Sequence, residues 1–192
     1  MLKVNTILEV LKISKQVGLE DVLVSRPKAR EMYEIALSQI GQLISDDVVY
    51  CDFLGITACN SSFADEFVLN IQKQILLTEN TLLIIKNVVS DVLYDINAAL
   101  RLRNEKDSLK LLLLSYNNKE YAVEGDKLEP NLKDVFLMLK SSEQITARDI
   151  AQRFDVEINN ASNRLKKLHV LHLALKREVN TETGLRHAYY LP

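Results

Sequence analysis

From Thr146 to Leu168 the chain reads TARDIAQRFDVEINNASNRLKKL, and the spacing of its apolar residues favours two short helices joined by a tight break. Thr146 stands where a helix N-cap is expected, with Asp149 three residues on, and Ile150, Ala151 and Phe154 then recur on one face. Asp155 to Ile158 interrupts that period. Asn159 or Asn160 can cap the second helix, in which Ala161, Leu165 and Leu168 form the inward stripe. What remains outside is Asn159, Asn160, Ser162, Asn163, Lys166 and Lys167. Such amides can pair bidentately with adenine, the hydroxyl can bond either way, and the ammonium groups neutralise phosphate. An ordinary helical hairpin can carry the same polar face in solvent, so the residues that follow decide between the two readings.

Leu173, Leu175, Arg177 and Val179 alternate with Ala174, Lys176 and Glu178. Thr181 to Gly184 then offers a turn before Leu185 to Leu191, which together predict a two-stranded hairpin. A further helix is expected over Leu132 to Lys140. From Asn131 to Pro192 this order of elements resembles the winged helix-turn-helix superfamily along its whole length. NNASNRLKKL is similar to the recognition helix of many bacterial winged-helix regulators, in which a small residue and a serine precede an Arg-Leu-Lys run. That resemblance implies that Asn160, Ser162, Asn163, Lys166 and Lys167 face the major groove of double-stranded DNA, and that Lys176, Arg177, Arg186 and His187 flank the wing. With Asn159, and leaving aside His187, these are the expected DNA-binding residues. Charge agrees only modestly: ten Lys/Arg against seven Asp/Glu give +3 from Asn131 onward, and fourteen against nineteen give −5 before it.

At 192 residues, 47% of them hydrophobic and 26% charged, the chain has material for two small domains with cores of their own. The turn-rich GDKLEPNL places the boundary between Gly125 and Leu132, giving domains over 1–126 and 131–192. No apolar run approaches a membrane span and the first residues carry no signal-peptide core, so a cytoplasmic protein without a membrane partner is expected. Cys51 and Cys59 have neither metal-ligand nor redox spacing and read as small core residues. With five glycines in the chain, no phosphate-binding glycine loop is present.

Ahead of the boundary, strands are expected over Leu8 to Val17, Asp21 to Val24, Val48 to Phe53, Thr81 to Val89 and Leu109 to Leu114. A turn at Tyr116 to Lys119 then leads into Glu120 to Val123. Ser25 can cap a helix carrying Met32, Ile35, Ala36 and Ile40 inward. A second helix starts near Ser62 with Phe63, Phe67, Ile71 and Ile75 at four-residue spacing, and a third, capped by Ser90 or Asp91, reaches Leu102. The fold class is therefore α/β (α+β), a mixed sheet backed by helices.

VVYCDFLGITACNSSFADEF is similar to the central segment of the STAS-like domain family, a relative of the anti-sigma-factor antagonists, and SRPKAREMYEIAL upstream matches its first helix loosely. The similarity covers about Leu8 to Leu114 and rests on Asp52, Phe53, Gly55, Ser61, Ser62, Phe63, Ala64, Asp65 and Glu66. It implies that Ser61 or Ser62 is phosphorylated by a kinase-like protein partner, although Asn60 replaces the usual acidic residue before the serines and Phe63 the glycine after them. Read from the residues alone, the two serines cap the helix. Asp52, Asp65 and Glu66 read as caps and dipole partners rather than metal ligands, and His169 and His172, three apart on one helix face, lack a third ligand. No catalytic residue, metal or cofactor is expected. The whole predicts a DNA-binding transcriptional regulator, acting as a homodimer, with an N-terminal STAS-like regulatory or interaction domain. The alternative is an interaction adaptor, switched by a kinase, without DNA binding.

Overall fold

The computed structural model describes residues 5–41, 47–108, 110–181 and 184–192. The chain divides into two compact units, Met1–Asp126 and Lys127–Pro192.

The first unit is a five-stranded sheet with helices. Its strands are β1 (Asn5–Glu9), β3 (Val48–Asp52), β5 (Leu82–Lys86), β6 (Leu112–Asn117) and β7 (Glu120–Gly125), adjacent in that order, parallel as far as β6 and antiparallel at β7. A small parallel pair, β2 (Val22–Leu23) with β4 (Ala58–Cys59), lies apart from it. The helices are α1 (Val10–Gln16), α2 (Arg26–Ile40), α3 (Ser61–Glu66), α4 (Val68–Ile75) and α5 (Ser90–Asp107). Leu8, Cys51 and Ile85 stand opposite one another across three strands and enter one apolar core with Phe63, Phe67, Ile71 and Ile96. Burying each such large side chain contributes about 1.5–3 kcal/mol.

Four expectations need correction, one of them the cap of α5, which is Val89 and not Ser90 or Asp91. The segment Leu8 to Val17 is not one strand, because β1 ends at Glu9 and α1 follows without a loop. Val10, Ile13, Ser14 and Val17 are buried at spacings of three, one and three, a helical period that the polar residues between them disguise as alternation. The helix expected from Ser62 is two helices broken at Phe67, whose ψ of −69° departs from regular α geometry while Phe63, Phe67, Ile71 and Ile75 all stay fully buried. The last parallel strand is shifted to Leu112–Asn117, and Asn118 and Lys119, both at positive φ, close the hairpin to β7. Gly55 lies at φ +84°, where a Cβ would come within 2.9 Å of Leu11, so the backbone there requires glycine.

The second unit holds α6 (Pro130–Lys140), β8 (Ile145–Thr146), α7 (Ala147–Phe154), α8 (Ile158–Val170), β9 (Leu175–Thr181) and β10 (Gly184–Tyr190). Thr146 and Asp149 make a reciprocal capping box: the Thr146 N–H donates to the Asp149 carboxylate at 2.7 Å, and the Asp149 N–H to the Thr146 hydroxyl at 3.5 Å. Asp155 in the left-handed region ends α7. The N-cap of α8 is Glu157, not Asn159 or Asn160, so both amides fall inside the first turn. β10 pairs with β9 from Gly184 opposite Thr181 to Tyr190 opposite Leu175, and on its other side with β8, a strand the sequence pattern did not announce. Of the expected hairpin turn, residues 182–183 lie outside the described residues. Leu132, Val135, Phe136, Ile150, Leu165, Leu168 and Tyr189 are buried in this unit. No helix among the described residues is long and apolar enough to cross a membrane.

Candidate nucleic-acid interface

A residue advances about 100° around a helix, so the buried stripe Ala161, Leu165 and Leu168 fixes which side of α8 points outward. Asn159, Asn163, Lys166 and Val170 lie opposite that stripe and all four are exposed. Asn160 and Lys167 fall on one flank, Ser162 on the other.

Internal bonds sort these side chains further. The Asn160 carbonyl oxygen accepts from Arg164 Nε at 2.9 Å, and Lys167 pairs with Glu129, just ahead of α6, at 2.7 Å. That flank is a groove of about 570 Å³ walled by Glu129, Asn131, Asn159, Asn163, Arg164 and Lys167. By contrast, Asn159, Ser162, Asn163 and Lys166 have no side-chain hydrogen-bond partner among the described residues. Asn160 and Arg164 are four apart on one helix, a spacing visible in the sequence, whereas Lys167 and Glu129 are 38 residues apart and no local pattern joins them.

The expected wing residues also divide. Arg177 is held on the sheet, donating two hydrogen bonds to Gln144 at 3.0 and 2.6 Å and stacking 5.0 Å from the Tyr190 ring. Lys176 is half-buried opposite Tyr189, and His187 is exposed. Arg186 borders a depression of about 300 Å³ with Arg148, Ile158, Ser162 and His187. Arg148, beside α8, and Arg164, within it, are cations absent from the expected DNA-binding set. Arg148 had a legible signal, two residues after the cap Thr146 and so turned away from Ile150.

In the first unit, the serines do not cap α3. Asn60 does, its side-chain oxygen accepting from the Phe63 N–H at 2.8 Å and from the Ser62 hydroxyl at 2.9 Å. Asn is as good a cap as Ser, and its longer side chain reaches the Phe63 amide from one residue earlier. Ser61 and Ser62 therefore sit in the first turn, half-buried, in a depression of about 200 Å³ with Arg26, Asp65, Arg103 and Lys106. Asp65 receives Arg103 at 2.7 and 2.6 Å, and Glu66 receives Arg26 at 2.8 Å and Arg30 at 3.0 Å. Asp52 is elsewhere, paired with Lys86 at 3.1 Å and Asn87 at 2.7 Å, so the three acids do not meet. His169 Nδ1 donates to the Ala174 carbonyl oxygen, 3.0 Å away, while His172 lies past the end of α8, so the two do not share a helix face. Burial raises the thiol of Cys51, and that of Cys59 to about 12, as suits core cysteines.

The Arg30 hydrogen bonds, which outweigh burial, hold Glu66 below the usual carboxylate range, with Arg26 adding to the effect. A carboxylate depressed in the folded state stabilises it fully above the unfolded value of about 4.3, and that contribution is lost as pH falls through the folded value. Thermal melts between about pH 6 and pH 3 are thus expected to fall less steeply for Glu66→Gln, although the variant starts less stable at neutral pH. An identical slope in both proteins would show that the arginine cluster lends Glu66 no pH-dependent stability. Compared with protein-family models, with curated proteins and with solved structures, the chain finds no match in any of the three.

Proposed function

We propose that this protein is a transcriptional regulator whose second unit is a winged helix-turn-helix binding double-stranded DNA through the outward face of α8. The observation that carries the reading is that face itself: Asn159, Ser162, Asn163 and Lys166 stand without side-chain partners among the described residues, on a helix packed against α6 and a capping-boxed α7. Groups that can bond base edges and phosphate are thus held ready on a rigid element, with Arg148 and Arg186 alongside. The first unit then serves as a STAS-like regulatory domain. Winged helices read few base pairs singly, so a homodimer follows for affinity, and the cytoplasm is the place of action.

Fluorescence anisotropy with a random-sequence duplex at about 50 mM salt tests this. Wild type should bind in the micromolar range, and Lys166→Ala should lower the slope of log affinity against log salt by about 1. Absence of duplex affinity at that salt would overturn the reading.

One observation favours a second reading, the kinase-switched adaptor. Arg26, Arg30 and Arg103 take up the charges of Asp65 and Glu66, and Arg26, Arg103 and Lys106 share the depression of Ser61 and Ser62, so a phosphate there would meet cations. Intact-mass spectrometry of protein from its native cells, showing one added phosphate and no duplex affinity, would select it.

A further inference from the structure

Resting on the DNA reading, we infer that Asn159 and Asn163 are the base-reading residues, and that the preferred duplex carries two adenines within about two base-pair steps of each other in one major groove. The two amides are four residues apart on the outward line of α8, both exposed and both without a partner among the described residues. Four residues of helix rise about 6 Å, against about 3.4 Å per base pair, so a helix lying along the groove offers them to bases one or two steps apart.

An asparagine with both ends free matches one base edge best. Its NH2 donates to adenine N7 while its carbonyl oxygen accepts from adenine N6, and no other base offers that acceptor and donor side by side in the major groove. Asn160 is less suited, because it lies on the flank of α8 and its side-chain oxygen is already oriented by Arg164. Lys167 is turned to Glu129 on the same flank, which leaves Lys166 as the central cation beside the two amides. The chemistry thus assigns reading to Asn159 and Asn163 and backbone attraction to Lys166.

The full-length chain is incubated with duplexes containing a randomised core, and the recovered sequence is resynthesised with 7-deazaadenine at each enriched adenine in turn. That base keeps its Watson–Crick pairing but lacks the N7 acceptor. Two adenine positions should be enriched, and each replacement should weaken wild-type binding by about 5- to 100-fold. Asn163→Ala should become indifferent to replacement at one position and Asn159→Ala at the other, while Asn160→Ala keeps both preferences. These side chains are exposed and alanine favours the helix, so folding is preserved. Duplex binding with adenine preferences unchanged in both alanine variants would overturn this inference and leave the DNA reading standing. Failure to bind any duplex would overturn both.

Discussion

Leu165→Ala is expected to melt the second unit at physiological temperature and, with it, to abolish duplex binding. Leu165 is fully buried, on the inward stripe between Ala161 and Leu168, where α8 packs against α6 and α7. Truncating a buried leucine costs about 2–5 kcal/mol, the upper end applying where the surroundings cannot collapse into the cavity. A unit of this size has a total stability of only about 3–10 kcal/mol, so the loss is a large share of what holds α8 in place. Amide hydrogen exchange resolved by residue is the direct measurement, with protection in α6, α7 and α8 falling by orders of magnitude in Leu165→Ala. Lys166→Ala, one residue on but exposed, should leave that protection unchanged while still weakening DNA binding. Equal loss of protection in the two variants would mean that the inward and outward sides of α8 have been misassigned.

The contrast between those neighbours also shows what was legible in the sequence. Features set by local spacing could be read: the Thr146–Asp149 capping box, the inward stripe of α8, the Phe63 to Ile75 face and the turn at Asn118 and Lys119 all follow from residues within one or two turns of each other. Several local readings still failed, and two of them show why. Val10 to Val17 has both an alternating and a helical component, and burial of Ser14 through hydrogen bonds to the Leu11 and Glu20 carbonyls tips it to helix. Asn60 captured the cap of α3 from the serines, because a side-chain oxygen one residue earlier reaches the Phe63 amide better. The rest depended on contacts between distant segments. Arg26 and Arg30 meet Glu66 across 40 and 36 residues, and Gln144 meets Arg177 across 33. No periodicity encodes such pairs, yet they decide which polar residues are available to a ligand. The sequence therefore marked the polar face of α8, and the Asn160–Arg164 spacing of four lay within its reach, but the tie of Lys167 to Glu129 did not.

Arg103→Met is the second substitution expected to act strongly, this time in the first unit. Arg103 on α5 reaches Asp65 on α3 with a hydrogen bond from Nε to the carboxylate at 2.7 Å, an ion-pair contact of 2.6 Å to the same oxygen, and a hydrogen bond at 3.4 Å to the Asp65 carbonyl. The side chains keep only 15% and 20% of their exposure, so solvent screens this pair less than a surface one. Without the guanidinium, Asp65 keeps only Arg26 at 3.5 Å among its ion pairs and remains mostly desolvated. A charged hydrogen bond lost from a partly buried carboxylate costs about 1.5–3 kcal/mol, read as a lower urea midpoint at unchanged slope. Adding Asp65→Asn removes the stranded charge, so the double variant should lose less than the sum of the single variants by about 1–2 kcal/mol. Strict additivity would show that α3 and α5 are held together by their apolar contacts alone. Under the adaptor reading the same pair has a further consequence. Arg103 is one of three cations, with Arg26 and Lys106, that face the one carboxylate sharing the depression with Ser61 and Ser62, so its removal should make a phosphate on either serine less stabilising than in the wild-type chain.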